Sequence, residues 1–180
     1  MLYRQLKNYS NAIDYFDKSL TDPQPRIRAA SYDWKGACLF ELKQYQEAID
    51  CYDKALHIDP DYASAHSNKG TVLRELKQFD KALECFDRAI HLDPHCFQAH
   101  FNKGNLFYCM KKPLEAIDSF NKALLIRPTD AVTWNWKGNC YIELKDLKKS
   151  LQCFNMAIEL NPSYENAYLN KKLALNYLKL

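Results

Sequence analysis

The sequence has few glycines, no long apolar run and almost no excess of either charge. Its 180 residues include four glycines and seven prolines, too few for a linker or a low-complexity tract. The formal net charge of +3 favours neither nucleic acid nor an anionic membrane as a partner. No apolar run approaches the roughly 18 residues of a membrane span, and residues 1–20 lack the apolar core of a signal peptide. We therefore expect a cytoplasmic or nuclear protein that does not insert into membranes.

What the sequence does contain is an internal repeat with a period of 34 residues. Internal periodicity of this length indicates that each copy is one small structural unit. Agreement of several registers across four copies makes coincidence untenable. The registers are the prolines Pro60, Pro94, Pro128 and Pro162, the glycines Gly36, Gly70, Gly104 and Gly138, the alanines Ala55, Ala89, Ala123 and Ala157, the aromatics Tyr52, Phe86, Phe120 and Phe154, and the small residues Ala48, Ala82, Ala116 and Ser150.

Each copy has the pattern of two helices. Ala48, Tyr52, Ala55 and Leu56 fall on one helical face, and charged residues fill the other. An X-Pro step follows each predicted second helix. We expect the helix to end there, because proline disfavours helical conformation in the residue before it. The pattern predicts helix pairs at 29–42 and 45–58, 63–76 and 79–92, 97–110 and 113–126, and 131–144 and 147–160.

The glycine on each first helix requires a reason, because a helical glycine costs about 1 kcal/mol relative to alanine. We interpret Gly36 as a point of close approach to Ala48 on the second helix, with Tyr52 packing toward the next repeat. One hairpin cannot bury its apolar face alone, so successive hairpins must stack.

This pattern resembles the tetratricopeptide repeat, whose signature has the same period. The resemblance implies an all-α fold, a right-handed α-solenoid of stacked antiparallel helix pairs. It predicts complete repeats at 29–62, 63–96, 97–130 and 131–164, a partial first repeat over 1–22 and a C-terminal capping helix over 165–180. Two departures from the family pattern recur: the usual tryptophan is replaced by Tyr32, His66 and His100 in three copies and kept as Trp134, and the usual leucine before the glycine is Lys35, Lys69, Lys103 or Lys137.

We interpret these lysines as part of the scaffold, with packed stems and amines in water. At the start, residues 6–18 parallel residues 42–54, so Met1 falls inside a first helix. We therefore expect either a fragment of a longer array or a protein that starts with a half repeat. At the end, Lys172 stands at the glycine register, where it would obstruct a second helix. We favour packing of this last helix on the fourth repeat over an exposed contact site.

The seven cysteines and five histidines do not predict chemistry. No CxxC pair is present, and Cys51, Cys85 and Cys153 share one repeat register, as packing residues would. The sequence has no glycine-rich phosphate loop, metal-ligand motif or nucleophile elbow. We therefore predict a non-enzymatic protein without a cofactor or a metal ion.

By the geometry of the family, the first helices line a concave groove suited to a peptide or a helix of another protein. Asparagines at one register, such as Asn68 and Asn170, either hold a peptide backbone through their amides or tie down their own helices. Trp34 and Trp136 either anchor a ligand or pack between first helices. The predicted groove residues are Trp34, Asn68, Thr71, Arg74, Phe101, Asn102, Asn105, Tyr108, Asn135, Trp136 and Asn139.

The resemblance implies a protein-interaction scaffold or adaptor. Two alternatives stay open: a recognition module of a larger enzyme, and a self-assembling array that forms homo-oligomers through its ends. The five-residue clamp with which some family members hold acidic chaperone tails matches only one position in each alignment, so such tails are not expected. Stacking of single-stranded nucleic acid on the aromatics is disfavoured by the near-neutral charge.

Overall fold

The computed structural model describes residues 2–178, and side chains from residue 8 onward. Met1 and residues 179–180, which the predicted partial repeat and capping helix include, lie outside the described residues. The chain forms two compact units, Met1–Pro94 and His95–Leu180. No helix within the described range is long and apolar enough to cross a membrane. The described helices are α1 (Leu2–Ser19), α2 (Pro25–Glu41), α3 (Tyr45–Ile58), α4 (Ala63–Glu75), α5 (Phe79–Leu92), α6 (Phe97–Cys109), α7 (Pro113–Ile126), α8 (Ala131–Glu143), α9 (Leu147–Leu160) and α10 (Glu165–Tyr177).

Seven of the eight helices predicted in pairs lie within one residue of their expected bounds. The exception is α2, which begins at Pro25 instead of residue 29. Proline suits the first helical position for two reasons. A backbone N–H at this position has no intrahelical acceptor, and the φ angle of proline is already helical. Gln24 before it is extended, with φ −81° and ψ 117°. Residues 25–28, which precede the predicted helix, therefore supply an additional helical turn.

A lysine in the left-handed conformation joins the two helices of each complete hairpin. Lys43, Lys77, Lys111 and Lys145 have φ between 59° and 61°. After α2, the Lys43 N–H donates to the Phe40 carbonyl at 2.8 Å and the Gln44 N–H to the Leu39 carbonyl at 2.9 Å. These are the two hydrogen bonds of a Schellman cap, in which glycine is the usual left-handed residue. Lysine here carries a backbone cost of roughly 1–2 kcal/mol.

The helical glycines make room for aromatic rings. A Cβ on Gly104 would lie 2.5 Å from Cε1 of Phe120, and the same ring register faces the other three glycines. The Phe120 side chain is completely buried. The expectation that Gly36 faces Ala48 while Tyr52 packs toward the next repeat is therefore wrong. The ring packs inside its own hairpin, because only a residue without Cβ leaves space for it beside the first helix.

The lysine before the glycine forms an ion pair in unit Met1–Pro94. Lys35 Nζ lies 2.5 Å from Asp17 Oδ1, and Lys69 Nζ lies 2.5 Å from Asp53 Oδ1. Each aspartate belongs to the second helix of the preceding hairpin. These contacts agree with the predicted scaffold role, but the amines of these two lysines pair with aspartates of the preceding hairpin instead of contacting water alone. The aspartates are about half exposed, so each pair contributes at most about 1 kcal/mol.

In each unit, successive first helices lie closer together than successive second helices do. In unit Met1–Pro94, α2 contacts α4; in unit His95–Leu180, α8 contacts both α6 and α10. Within the described residues, no Cα–Cα distance of 8 Å or less joins α3 to α5 or α7 to α9. Stacked hairpins whose first helices approach most closely give each unit an inner face, defined here as the surface of α2 and α4 or of α6, α8 and α10. The all-α solenoid fold is confirmed.

Candidate functional site

Trp34 is the exposed aromatic residue of the inner face in unit Met1–Pro94. Its side chain lies on α2 and is 57% exposed, while its neighbour Asp33 is only 4% exposed. Within the described residues, α2 is the earliest separate first helix. The helix α1 runs without a break from Leu2 to Ser19, so the first-helix end and turn expected before residue 9 are not formed, and residues 9–19 correspond to the second helix of a hairpin. An indole exposed to this extent is available for contact with another molecule.

The buried carboxylate of Asp33 joins α2 to α4. It accepts hydrogen bonds from Asn68 Nδ2 at 2.9 Å and from Ser64 Oγ at 3.2 Å. Tyr62 is a third hydrogen-bonding partner. Burial raises the pKa of Asp33, and these hydrogen bonds offset part of the rise. Asn68 therefore serves the junction between two first helices.

Asn135 occupies the register of Asp33 one hundred and two residues later and joins α8 to α10. Its Oδ1 accepts a hydrogen bond from Asn170 Nδ2 at 3.0 Å, and its Nδ2 lies 3.5 Å from the Tyr164 hydroxyl. Asn170 and Asn68 share a register and bond the preceding first helix in the same way. At these two positions the amides tie neighbouring first helices together. This is the second of the two roles that the sequence leaves open for this register.

The aromatics predicted for the groove in unit His95–Leu180 are packed. Phe101 lies between Phe97 and Phe120, with ring centroids 5.9 Å from each. Tyr108 and Trp136 meet edge to face at 5.4 Å. All three predicted residues are half-buried against the core of α6, α7 and α8. The Tyr108–Trp136 contact joins adjacent hairpins, whereas the ring contacts of Phe101 lie within its own hairpin.

The remaining predicted residues are polar, and three of them have contacts within their own helix. Thr71 Oγ1 donates to the Ser67 carbonyl at 3.1 Å, and Arg74 contacts Glu75 at 2.6 Å. Asn102 is buried and accepts a hydrogen bond from Gln98 at 3.2 Å. Two further asparagines complete the predicted set: Asn105 is buried, with no described partner for its Oδ1, and Asn139 is half-buried.

The terminal helix α10 contacts α8 and α9 of the fourth repeat. Its alanines Ala167 and Ala174 are buried, whereas several of its larger apolar residues are exposed. The exposed residues are Tyr168, Leu169, Leu173, Leu175, Tyr177 and Leu178.

No side chain described by the structure belongs to a group of three or more His, Cys, Asp or Glu residues that could hold a metal ion. Burial raises the pKa of the Cys140 thiol to about 12 and that of Cys153 to about 11. Both thiols therefore stay protonated near neutral pH, which makes them poor nucleophiles.

Comparison with solved structures identifies similar helical-repeat proteins. YrrB, described as a TPR protein with an unusual peptide-binding site, is 26% identical with a TM-score of 0.71, over 95% of this chain and 87% of that chain. A MamA structure is 19% identical with a TM-score of 0.71, over 88% and 86% of the two chains. MamA from Desulfovibrio magneticus RS-1, from residue 41 to its end, is 19% identical with a TM-score of 0.69, over 84% and 91%.

Comparison with curated protein sequences finds no match. Family models give a direct result: the tetratricopeptide repeat model matches residues 34–62, 63–96, 97–130 and 131–164. A second tetratricopeptide repeat model matches residues 1–21. These matches cover well over half of the sequence, and the chain therefore belongs to the tetratricopeptide repeat family.

Proposed function

We propose that this interaction scaffold binds a helical segment of another protein beside α2, with Trp34 as the anchor. The observation that carries the proposal is the exposure of Trp34, 57% of its surface, in a register where Trp136 is packed. A tryptophan that becomes buried on binding is the residue type most often found at the energetic centre of an interface. YrrB, described as a peptide-binding TPR protein, offers a precedent for such use of the fold.

The packing of Trp136 indicates what a ligand at Trp34 would look like. Trp136 on α8 receives the edge-to-face contact of Tyr108, which belongs to α6, the first helix before it. A helix lying beside α2, as α6 lies beside α8, would cover Trp34 in the same manner. This template favours a helical ligand over an extended one.

Phe16 is a second aromatic ring that the proposed ligand helix would cover. Phe16 on α1 stands at the register of Tyr52, Phe86 and Phe120 but is only half-buried, whereas those three are 2% exposed or less. In each complete hairpin, this ring packs on the glycine of the first helix. A helix that covers both Phe16 and Trp34 therefore needs glycine or alanine where it faces Phe16.

The proposal is tested with a peptide that copies residues 61–77, which include the first helix α4 and Gly70. We expect the peptide to become helical on binding and to change the fluorescence of the chain. The Trp34→Ala chain should bind at least about tenfold more weakly, as loss of a hot-spot residue predicts. A peptide carrying Gly70→Leu should not bind. Equal binding by the wild-type and Trp34→Ala chains would contradict the proposal.

Capture from cell extract then identifies the natural ligand. The wild-type chain is compared with Trp34→Ala and with Leu125→Ala, a matched control whose side chain is 83% exposed on the second helix α7. We expect a partner that wild type and Leu125→Ala retain and Trp34→Ala loses. Loss in both variants, or in neither, would place recognition elsewhere than at Trp34.

A further inference from the structure

The ion pair that joins successive hairpins is broken by substitution at the fourth repeat. Asp17 and Asp53 supply the carboxylates that pair with Lys35 and Lys69. At the same register, α7 carries Asn121, and the corresponding lysine is Lys137 on α8. Within the described part of the chain, no carboxylate forms an ion pair with Lys137. Its ammonium instead lies 4.7 Å from the ring centroid of Trp134.

Lys137 lies in a cleft between the two helices of this hairpin. The cleft has a volume of about 240 Å³. Trp134 and Tyr141 form aromatic walls, and Lys149 Nζ lies 5.5 Å from the Tyr141 ring centroid. The lining residues are Trp134, Lys137, Tyr141, Lys149, Gln152, Cys153 and Met156.

An acidic side chain close to this cleft is already engaged. Asp146 pairs with Lys149 at 2.8 Å and accepts the backbone N–H of Lys149 at 3.1 Å as the N-cap of α9. It therefore neutralises Lys149, while Lys137 has no ion-pair partner among the described residues. A cysteine lies near the lysine in both copies, Cys153 near Lys137 and Cys51 near Lys35.

We propose that this cleft binds an acidic side chain, aspartate or glutamate, of a partner protein. The ligand carboxylate takes the position that Asp17 and Asp53 occupy beside Lys35 and Lys69. Its oxygens accept hydrogen bonds from the Lys137 ammonium and from the Gln152 amide, and its methylene groups lie against the Trp134 ring. The cleft lies between α8 and α9 and shares no residue with the site proposed at Trp34, so this proposal stands independently of the proposed function.

The decisive variant is Asn121→Asp, which restores the internal carboxylate. The probe is a short glutamate peptide, compared at constant ionic strength with a glutamine peptide of equal length. Binding is followed through the NMR resonance of the Trp134 indole N–H, which is assigned by comparison with Trp134→Phe. In the structure this N–H donates a hydrogen bond to the Pro128 carbonyl at 2.9 Å. We expect a saturable shift with the glutamate peptide alone, and binding about threefold to fivefold weaker in Asn121→Asp and Lys137→Gln.

Lys69→Gln is the matched control, because Lys69 is already paired with Asp53, and it should bind the glutamate peptide like wild type. The proposal is overturned if the glutamine peptide shifts the resonance equally, if no shift occurs, or if Asn121→Asp binds as tightly as wild type. Equal weakening in Lys69→Gln would also overturn it, since the effect would then be one of overall charge.

Discussion

The two units place the same residue types at the same registers and use them differently. Trp34 and Trp136 share one register, yet Trp34 is 57% exposed while Trp136 packs against Tyr108 at 5.4 Å. The difference is not in the tryptophan but in its surroundings, because α6 precedes α8 and no described first helix precedes α2. In a repeat protein, whose copies contact only their neighbours, the role of a residue depends on the adjacent copy.

The register before the tryptophan provides the reverse comparison. Asp33 and Asn135 are both buried, at 4% exposure each, and both bond an asparagine thirty-five residues later. Here the bonded asparagine is the same in both units, and the buried residue that accepts its hydrogen bond differs. The junction between α2 and α4 contains a carboxylate, and that between α8 and α10 an amide, so the junctions should respond differently to pH.

The largest effect is expected from removal of the packed tryptophan. Trp136→Ala should lower the free energy of unfolding by about 2 kcal/mol, less than the roughly 3–5 kcal/mol of a fully buried site because Trp136 is half-buried. Trp34→Ala should change it by no more than about 0.5 kcal/mol. Urea unfolding followed by circular dichroism measures both variants. Similar losses in the two variants would show that both indoles are structural.

A smaller effect is expected at a feature that both units share. Lys77→Gly and Lys145→Gly replace left-handed lysines with φ of 59° by the residue that adopts this conformation without strain. Each change should raise the free energy of unfolding by about 1 kcal/mol. The side chain of Lys77 is exposed, so little packing is lost. Stabilisation by Lys77→Gly but not by Lys145→Gly would indicate that the turns of the two units differ in more than sequence.

The sequence predicts the helix positions of both units well and the differences between the units poorly. Helix positions follow from short-range periodicity, so seven paired helices were predicted within one residue. The ring that fills the space beside Gly104 was not predicted, because the register alone does not say whether Phe120 faces its own hairpin or the next. The exposure of Trp34 depends on which helix precedes α2, and no local pattern encodes that. The loss of the ion pair at Lys137 could have been found, since Asn121 interrupts a register of aspartates.

The smallest effect is a change in pH dependence on replacing Asp33 by asparagine. Because burial raises the native pKa of Asp33 above its ordinary value of 3.8, the native state binds more protons than the unfolded state just above that value. The free energy of unfolding of the wild type therefore falls as pH rises through this window. Asp33→Asn lacks this contribution, and Asn135 shows that an amide can satisfy such a junction. The difference between variant and wild type, measured by urea unfolding at pH about 3.5 and about 7, should grow in favour of the variant as pH rises. Asn135→Asp is the reciprocal change and should gain the pH dependence that Asp33→Asn loses. If neither substitution alters the pH profile, the carboxylate is not the source of the difference between the two junctions.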